Sequence, residues 1–441
     1  MMAGMPGFNG SVLQMELKYG SATCTIDLPP NQMAGVIVPP PLVVNKSPED
    51  IIQAALDSCN GLISPFRKGE KVVIVTSDIT RYTGSEIYLP LLVERLNRQG
   101  IADKDIEILI ALGIHRKQTE HEHRRILGPL FGRIRVTDHE CDDHHELTFV
   151  GTTSNGIKVS INRRAAEADH LILTGTIGFH YFAGFGGGRK SVLPGLASRK
   201  ACMASHFTVL NPGDGTGKNP LATTGNLEGN PVHLAMLEGC AMAKPAFILN
   251  TVLAADKSIV AAFAGDWLEA HEEGCRFYRD KFAYPLAEKV ELVIASCGGF
   301  PKDINLIQAH KSMEYAAQAI RDGGVMILLA ECRDGFGNGT FFNWFRHKQL
   351  EGFEAALRAQ YEINGQTAYS LLQKAQRFRI ILVSQFPGEQ VKEMGMIPAQ
   401  GLDEAMGLAA GMLPEGWRCY LMPEAGSVLP VASESAEVKT D

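Results

Sequence analysis

Short apolar runs alternate along the chain with longer stretches in which apolar residues recur every third or fourth position. An apolar run bounded by turn formers suits a buried strand, whereas the wider spacing gives a helix one apolar face. Ser47-Pro48-Glu49-Asp50 predicts a helix start, with Ser47 as cap and Pro48 in the first turn, and the helix should run to about Cys59. Lys71 to Thr76 (KVVIVT) reads as a strand; a polar turn and a helix from about Ser85 to Arg98, ending at Gly100, follow it. Asp105 to Leu112 repeats the strand pattern, Thr119 to Leu127 the helical one. Leu147 to Ile161 reads as a hairpin turning at Asn155-Gly156, and Leu171 to Thr174 as a further strand. Alternation of this kind predicts an α/β sheet whose functional side chains stand in loops beyond the strand C-termini.

Around Gly265 to Glu288 the chain becomes charged and helical, and a second series opens with the strand Val290 to Ser296. A helix from about Leu306 to Arg321, a break at Gly323-Gly324 and strands at Val325 to Ala330, Arg379 to Ser384 and Trp417 to Met422 continue it. The expected fold class is therefore α/β, with two α/β domains built on mixed or parallel sheets. The division expected is 1–270 for an N-terminal domain and 271–441 for a C-terminal one, the last residues, Ser433 to Asp441, having the composition of a frayed terminus.

Composition narrows the function. With 45% hydrophobic and 21% charged residues the chain can bury substantial cores, which excludes a disordered or coiled-coil protein. Its 42 basic and 49 acidic residues give −7 without a long basic block, so nucleic acid is not an expected partner. Nine scattered cysteines form no C-x-x-C and argue for a reducing compartment. No basic-then-apolar leader opens the sequence and no long uninterrupted apolar stretch occurs, so the expected location is the cytoplasm, with no membrane partner.

Candidate chemistry concentrates after strands. His180 to Lys190 (HYFAGFGGGRK) is a glycine-rich loop between a histidine and a lysine. Arg189 stands where a phosphate-binding P-loop needs glycine, and the glycines do not keep the dinucleotide spacing. What is left is a loop of little bulk where backbone can approach a ligand, with Lys190 as nucleophile or charge partner. His115 follows a strand and a Gly113-Ile114 turn, and His206 falls in an expected helix; any one histidine alone is more often an ordinary polar residue. Asp78-Ile79-Thr80-Arg81 could receive an anion at a helix N-terminus, or simply begin a capped helix. Gln308 and Lys311 share a helix face that could hold a carboxylate, though alone they are just a polar face. The segment His139 to His145 (HECDDHH) is rich in potential metal ligands, but it lacks zinc-site spacing and reads as a solvated loop.

Together, Asp78 to Arg81, Ala111-Leu112-Gly113 with His115, His180 with Gly184-Phe185 and Lys190, His206, and Gln308 with Lys311 resemble the nickel-dependent lactate racemase family across roughly residues 70 to 335. The resemblance implies a nickel-pincer nucleotide, pyridinium-3,5-bisthiocarboxylic acid mononucleotide nickel, joined covalently through one sulfur-containing arm to Lys190. It implies His206 as the protein ligand to nickel, and Asp78, Ile79, Thr80 and Arg81 as part of the cofactor site. His115 and His180 match the paired catalytic bases, and Arg81, Gln308 and Lys311 the substrate contacts, which would place the reaction in an interdomain cleft. The implied reaction is racemisation or epimerisation of a 2-hydroxy acid by hydride transfer to the cofactor, through a 2-keto acid. Hydride loss suits this substrate because its Cα proton is only weakly acidic. Cofactor-biosynthesis proteins of the host would be partners.

Two positions depart from the family pattern: Ile307 stands where tyrosine is usual before the glutamine, and Tyr82 where proline usually follows the arginine. They widen the implied substrate from lactate to other 2-hydroxy acids or to a sugar acid. The alternative reading, a non-catalytic pincer or metal carrier, has no need of two bases.

Overall fold

The computed structural model describes residues 13–42, 44–59 and 66–432. Among these, the chain forms two compact units.

One unit is drawn from the described residues of 41–212 and 218–280. Its six-stranded sheet runs in the order Ile259–Gly265, Phe247–Leu253, His170–Ile177, Val72–Ser77, Ile106–Ala111, Arg135–Asp138. Only the Ile259–Gly265 edge is antiparallel. Residues 72–75 are all buried, as expected of a central parallel strand covered on both faces. The helix Pro48–Ser58 starts as its sequence predicts, with Ser47 Oγ accepting from the Asp50 amide at 3.1 Å. Glu120–Leu127 is held by a full capping box with Thr119. The helix Ser85–Arg98 turns Tyr88, Leu89, Leu92, Val93 and Leu96 inward against Ile74, Ile108 and Ile110. Each such aliphatic side chain contributes about 1.5–3 kcal/mol on burial. The Tyr88 hydroxyl reaches Thr76, Thr83 and Thr174 at 2.9–3.0 Å, pinning this helix to the C-terminal ends of the two central strands.

Those strands, Val72–Ser77 and His170–Ile177, are neighbours from which the chain departs in opposite directions across the sheet. Loops leaving such a pair diverge and open a crevice, the usual ligand site of an open α/β sheet. The loops in question are 78–84 and 178–190.

The other unit comprises residues 13–40, 213–217 and 281–432. Its sheet is wholly parallel, in the order Ile397–Ala399, Arg379–Val383, Ile320–Leu329, Val290–Ser296, Cys419–Met422, Met33–Val36. The sequence division at residue 270 differs here, because Met33–Val36 pairs with Cys419–Met422 and the hairpin Leu13–Tyr19/Ala22–Leu28 joins the same unit. Gly323-Gly324, expected to break the chain, lies inside the strand Ile320–Leu329, where a register shift between Val290 and Leu292 absorbs the irregularity. The preceding helix correspondingly ends at Ala316. No helix among the described residues is long and apolar enough to cross a membrane.

Candidate active site

Asp78 is the first residue beyond Val72–Ser77 and is only 1% exposed. Its Oδ2 lies 2.8 Å from His115 Nδ1, while Oδ1 accepts the Thr80 amide at 2.7 Å and the Thr80 hydroxyl. Burial on its own would raise the Asp78 carboxyl, but the His115 and Thr80 hydrogen bonds, with the charges of His115 and Arg81, outweigh it and hold the carboxyl below its ordinary value. The ionised carboxylate fixes the imidazole through Nδ1, on a side chain that is 40% accessible.

The 78–81 turn does not stand at a helix N-terminus, since the helix begins four residues after Arg81, at Ser85, behind Gly84 in left-handed backbone (φ +76°). Ile79 N–H is taken by Gln118 Oε1 at 3.0 Å and Arg81 N–H by the Asp78 carbonyl. These amides already have protein partners. The exposed Arg81 guanidinium is the group left to meet an anion.

The glycine-rich loop is close-packed backbone. A Cβ at Gly184 (φ +75°) would stand 2.1 Å from the Asn226 carbonyl, and one at Gly188 (φ +55°) 2.5 Å from the His271 ring, so no other residue fits either position. Lys190 leaves the turn Gly188–Ser191 with its Nζ 3.4 Å from His180 Nε2 and 4.0 Å from Met236 Sδ. It forms no ion pair with a carboxylate among the described residues. Burial, then the charges of Arg189 and Arg81, push its amine well below the usual lysine range. His180 accepts the Ala183 amide at Nδ1 (3.3 Å) and packs edge-on to Phe182. Burial and the neighbouring Lys190 hold it neutral, well below the ordinary histidine value.

His206 lies on the helix Arg199–Phe207, which Ser198 caps. Its Nδ1 donates to the Cys202 carbonyl at 2.8 Å, which fixes the tautomer with the Nε2 lone pair bare. Burial and then Lys190 lower it to about 3, so it stays a neutral imidazole at any working pH. The Lys190 charge also bears on His180 and His206, and that of Arg81 on His180, Lys190 and His206, so these four side chains form one electrostatic cluster. The His115 loop is tied to the far end of the lysine loop through Gly113 N–H to the Gly195 carbonyl (2.8 Å).

Gln308 and Lys311 stand on the helix Leu306–Ala316 of the other unit, with Lys311 Nζ 2.7 Å from Gln308 Oε1. The histidine-rich 139–145 segment is not a solvated loop throughout. His139 is 2% exposed and held by the Ala197 carbonyl (3.0 Å) and Asn162 Nδ2 (3.3 Å), Cys141 is buried, and Asp142 pairs with Arg199. No group of three or more metal-ligating side chains is gathered among the described residues.

Sequence reasoning passed over Asp78 as the partner that orients His115. It also passed over Asn250 and His271, which brace the lysine loop from a distant strand and helix, Asn250 Oδ1 accepting the Gly188 amide at 3.1 Å. No local pattern marks them; the uninterrupted apolar context around Asn250 (FILNTVL) is the one signal a reader has.

Residues 19–217 match the family model described as the lactate racemase N-terminal domain, and residues 286–429 the lactate racemase C-terminal domain. The lactate racemase of Thermoanaerobacterium thermosaccharolyticum is 35% identical over 432 residues, covering 94% of this chain and 98% of that protein. The lactate racemase of Lactiplantibacillus plantarum is 36% identical over 339 residues, covering 75% and 78%. The solved lactate racemase apoprotein from T. thermosaccharolyticum superposes with a TM-score of 0.83 at 34% identity, over 95% of this chain and all of that one. A Thermotoga maritima protein at 17% identity and TM-score 0.60 shares the fold.

Proposed function

The chain belongs to the lactate racemase family, and from that premise we propose that it racemises or epimerises a 2-hydroxy acid, lactate or a close relative, by hydride transfer. One observation carries the reading: a lysine amine held free of carboxylates beside His180, with a neutral His206 whose Nε2 is bare. A covalently tethered nickel-pincer nucleotide needs such a pair, a nucleophilic amine for attachment and an imidazole lone pair for the metal. Lys190 would hold the group, His206 would ligate nickel, and Arg81, with the Asp78–Thr80 turn behind it, would meet its anionic part or the substrate carboxylate. When bound, that cofactor supplies a hydride acceptor.

The protein's own residues supply binding and proton movement. By the family resemblance, Gln308 and Lys311 would be substrate contacts, an amide and an ammonium being suited to a carboxylate. His115, fixed by Asp78, takes the hydroxyl proton of one enantiomer, and His180, held neutral, takes that of the other. After reduction of the planar 2-keto acid from the opposite face, the other histidine gives a proton to the new alkoxide, so each acts as base in one direction and as acid in the other. Loading depends on cofactor-making proteins of the host. The test follows 2-hydroxy acids deuterated at C2, with chiral separation of the products from lactate, malate, longer aliphatic acids and aldonates. Slowed turnover with the label kept at C2 is expected. Exchange of the label into water before product accumulates would point to a carbanion and overturn the hydride reading.

A further inference from the structure

Arg189 is the largest side chain wholly inside the described structure, at 1% exposure, and it forms no ion pair with a carboxylate among the described residues. Its Nη2 donates to the Ala183 carbonyl at 2.8 Å, and its Nη1 lies 3.4 Å from the Gly186 carbonyl and 3.1 Å from His271 Nε2. Its Nε has no partner among the described residues. Burial lowers the guanidinium to about 10, which still leaves it charged at neutral pH. Nothing nearby neutralises it: burial and then Arg189 hold His271 at about 3, and burial pushes the Cys275 thiol up to about 12 and the Cys240 thiol further up. An uncompensated buried cation is expensive to keep, and a neutral hydrogen-bonding side chain would brace two carbonyls without that penalty. The next residue in the chain is Lys190.

We propose that Arg189 is a positioning residue for Lys190: clamped by two loop carbonyls and His271, it fixes where the lysine leaves the loop and sets a permanent positive charge behind the amine, so that Lys190 meets an acyl or thioacyl donor as a free nucleophile. The proposal rests on reading Lys190 as the attachment point. The groups facing that amine are Arg189 on its own turn, Arg81 from the 78–81 turn, His180 from the start of the loop, and Cys202 and His206 from the helix Arg199–Phe207. All but Cys202 are cationic or neutral, and burial pushes the Cys202 thiol up to about 12, so no fixed anion competes with the two arginines. Lysines desolvated beside a second cation are activated in this way in enzymes that form covalent intermediates at an amine.

The experiment uses full-length protein made without cofactor and the acetyl ester of N-hydroxysuccinimide. In the labelling step the lysine nitrogen bonds to the acetyl carbon, the carbon–oxygen bond to N-hydroxysuccinimide breaks, and the amine proton passes to water. Peptide mass spectrometry follows Lys190 against the exposed Lys392 across pH, and the readout is the midpoint of each profile, which does not depend on how freely the reagent enters. In the wild type the Lys190 midpoint should lie below that of Lys392. In Arg189→Met it should move up by about one pH unit or more, a roughly tenfold slower acylation at pH 7 relative to Lys392, with Arg189→Lys staying within about threefold of wild type. A Lys190 midpoint in folded Arg189→Met equal to that of the wild type would overturn the proposal, because burial alone would then account for the amine. Should Arg189→Met fail to fold, a wild-type Lys190 midpoint equal to that of Lys392 overturns it without any variant. Nickel-loaded protein lacking a Lys190 adduct would instead defeat the attachment reading, whatever the acylation profile.

Discussion

Substituting Asp78 by Asn removes one negative charge and almost nothing else. The amide keeps the shape of the side chain, and its Oδ1 still accepts the Thr80 amide that lies 2.7 Å away. The loss falls on the contact between Oδ2 and His115 Nδ1, 2.8 Å long and anchored by a carboxylate 1% exposed. A hydrogen bond involving a charged group contributes about 1.5–3 kcal/mol. If His115 carries the hydroxyl proton in the transition state, that energy is forfeited there, and at about 1.4 kcal/mol per factor of ten it amounts to a roughly 10–150-fold drop in kcat. Because the base of one direction is the acid of the other, the drop should be equal from either enantiomer. Chiral chromatography of initial rates on cofactor-loaded protein measures it, alongside nickel content and the mass of the Lys190 peptide, both expected to be unchanged. Stability offers a second check with a definite sign. The folded Asp78 carboxyl is held below its ordinary value, so it stabilises the fold above the unfolded value and loses that contribution as pH falls through the folded one. Wild type and variant should therefore differ more at pH 7 than at pH 3. Turnover within about threefold of wild type, or nickel lost along with activity, would refute the assignment of Asp78 to His115.

Three further outcomes are expected. His206→Ala should keep its far-UV circular dichroism while its nickel content, by plasma emission, falls at least several-fold; full nickel occupancy would remove the ligand role. His233 and His271 are both held at about 3, by burial first and then by Arg189, so below about pH 6.5 the unfolded chain takes up protons that the fold excludes. Each should cost about 2 kcal/mol of stability at pH 5 relative to pH 7.5, read from urea unfolding, and a His271→Leu variant should show a shallower loss; equal stability at the two pH values would contradict this. Gly184→Ala, which places a methyl 2.1 Å from the Asn226 carbonyl in left-handed backbone, should lower the Tm and cut Lys190 adduct formation, and an unchanged Tm would show that the loop is looser than its packing implies.

Elements set by neighbours in sequence are legible without the fold. Ser47 caps a helix because its hydroxyl reaches an amide three residues on, and the unbroken apolar run Val72 to Val75 forms a central strand because it does not suit a surface. The helices beginning at Ser85 and Glu120 and the strand at Val290 are recovered for the same reason: helix and strand periods and caps are local properties. His115, His180, Lys190 and His206 were likewise visible, through residue types placed just after strands and through their resemblance to a family. Tertiary structure alone decided who stands beside whom. Asp78 meets His115 across 37 residues because their two strands are neighbours in the sheet, and Arg189 meets His271 across 82 because a distant helix closes over the loop. In sequence Arg189 is one residue of a glycine-rich loop, and only packing reveals it as a buried cation, 1% exposed. His139 is moved from an expected solvated loop to the interior by the carbonyl of Ala197, and Met33–Val36 is carried into the second sheet by Cys419–Met422. Contacts of this length have no period in the sequence, since which strand pairs with which depends on burying all the apolar faces at once.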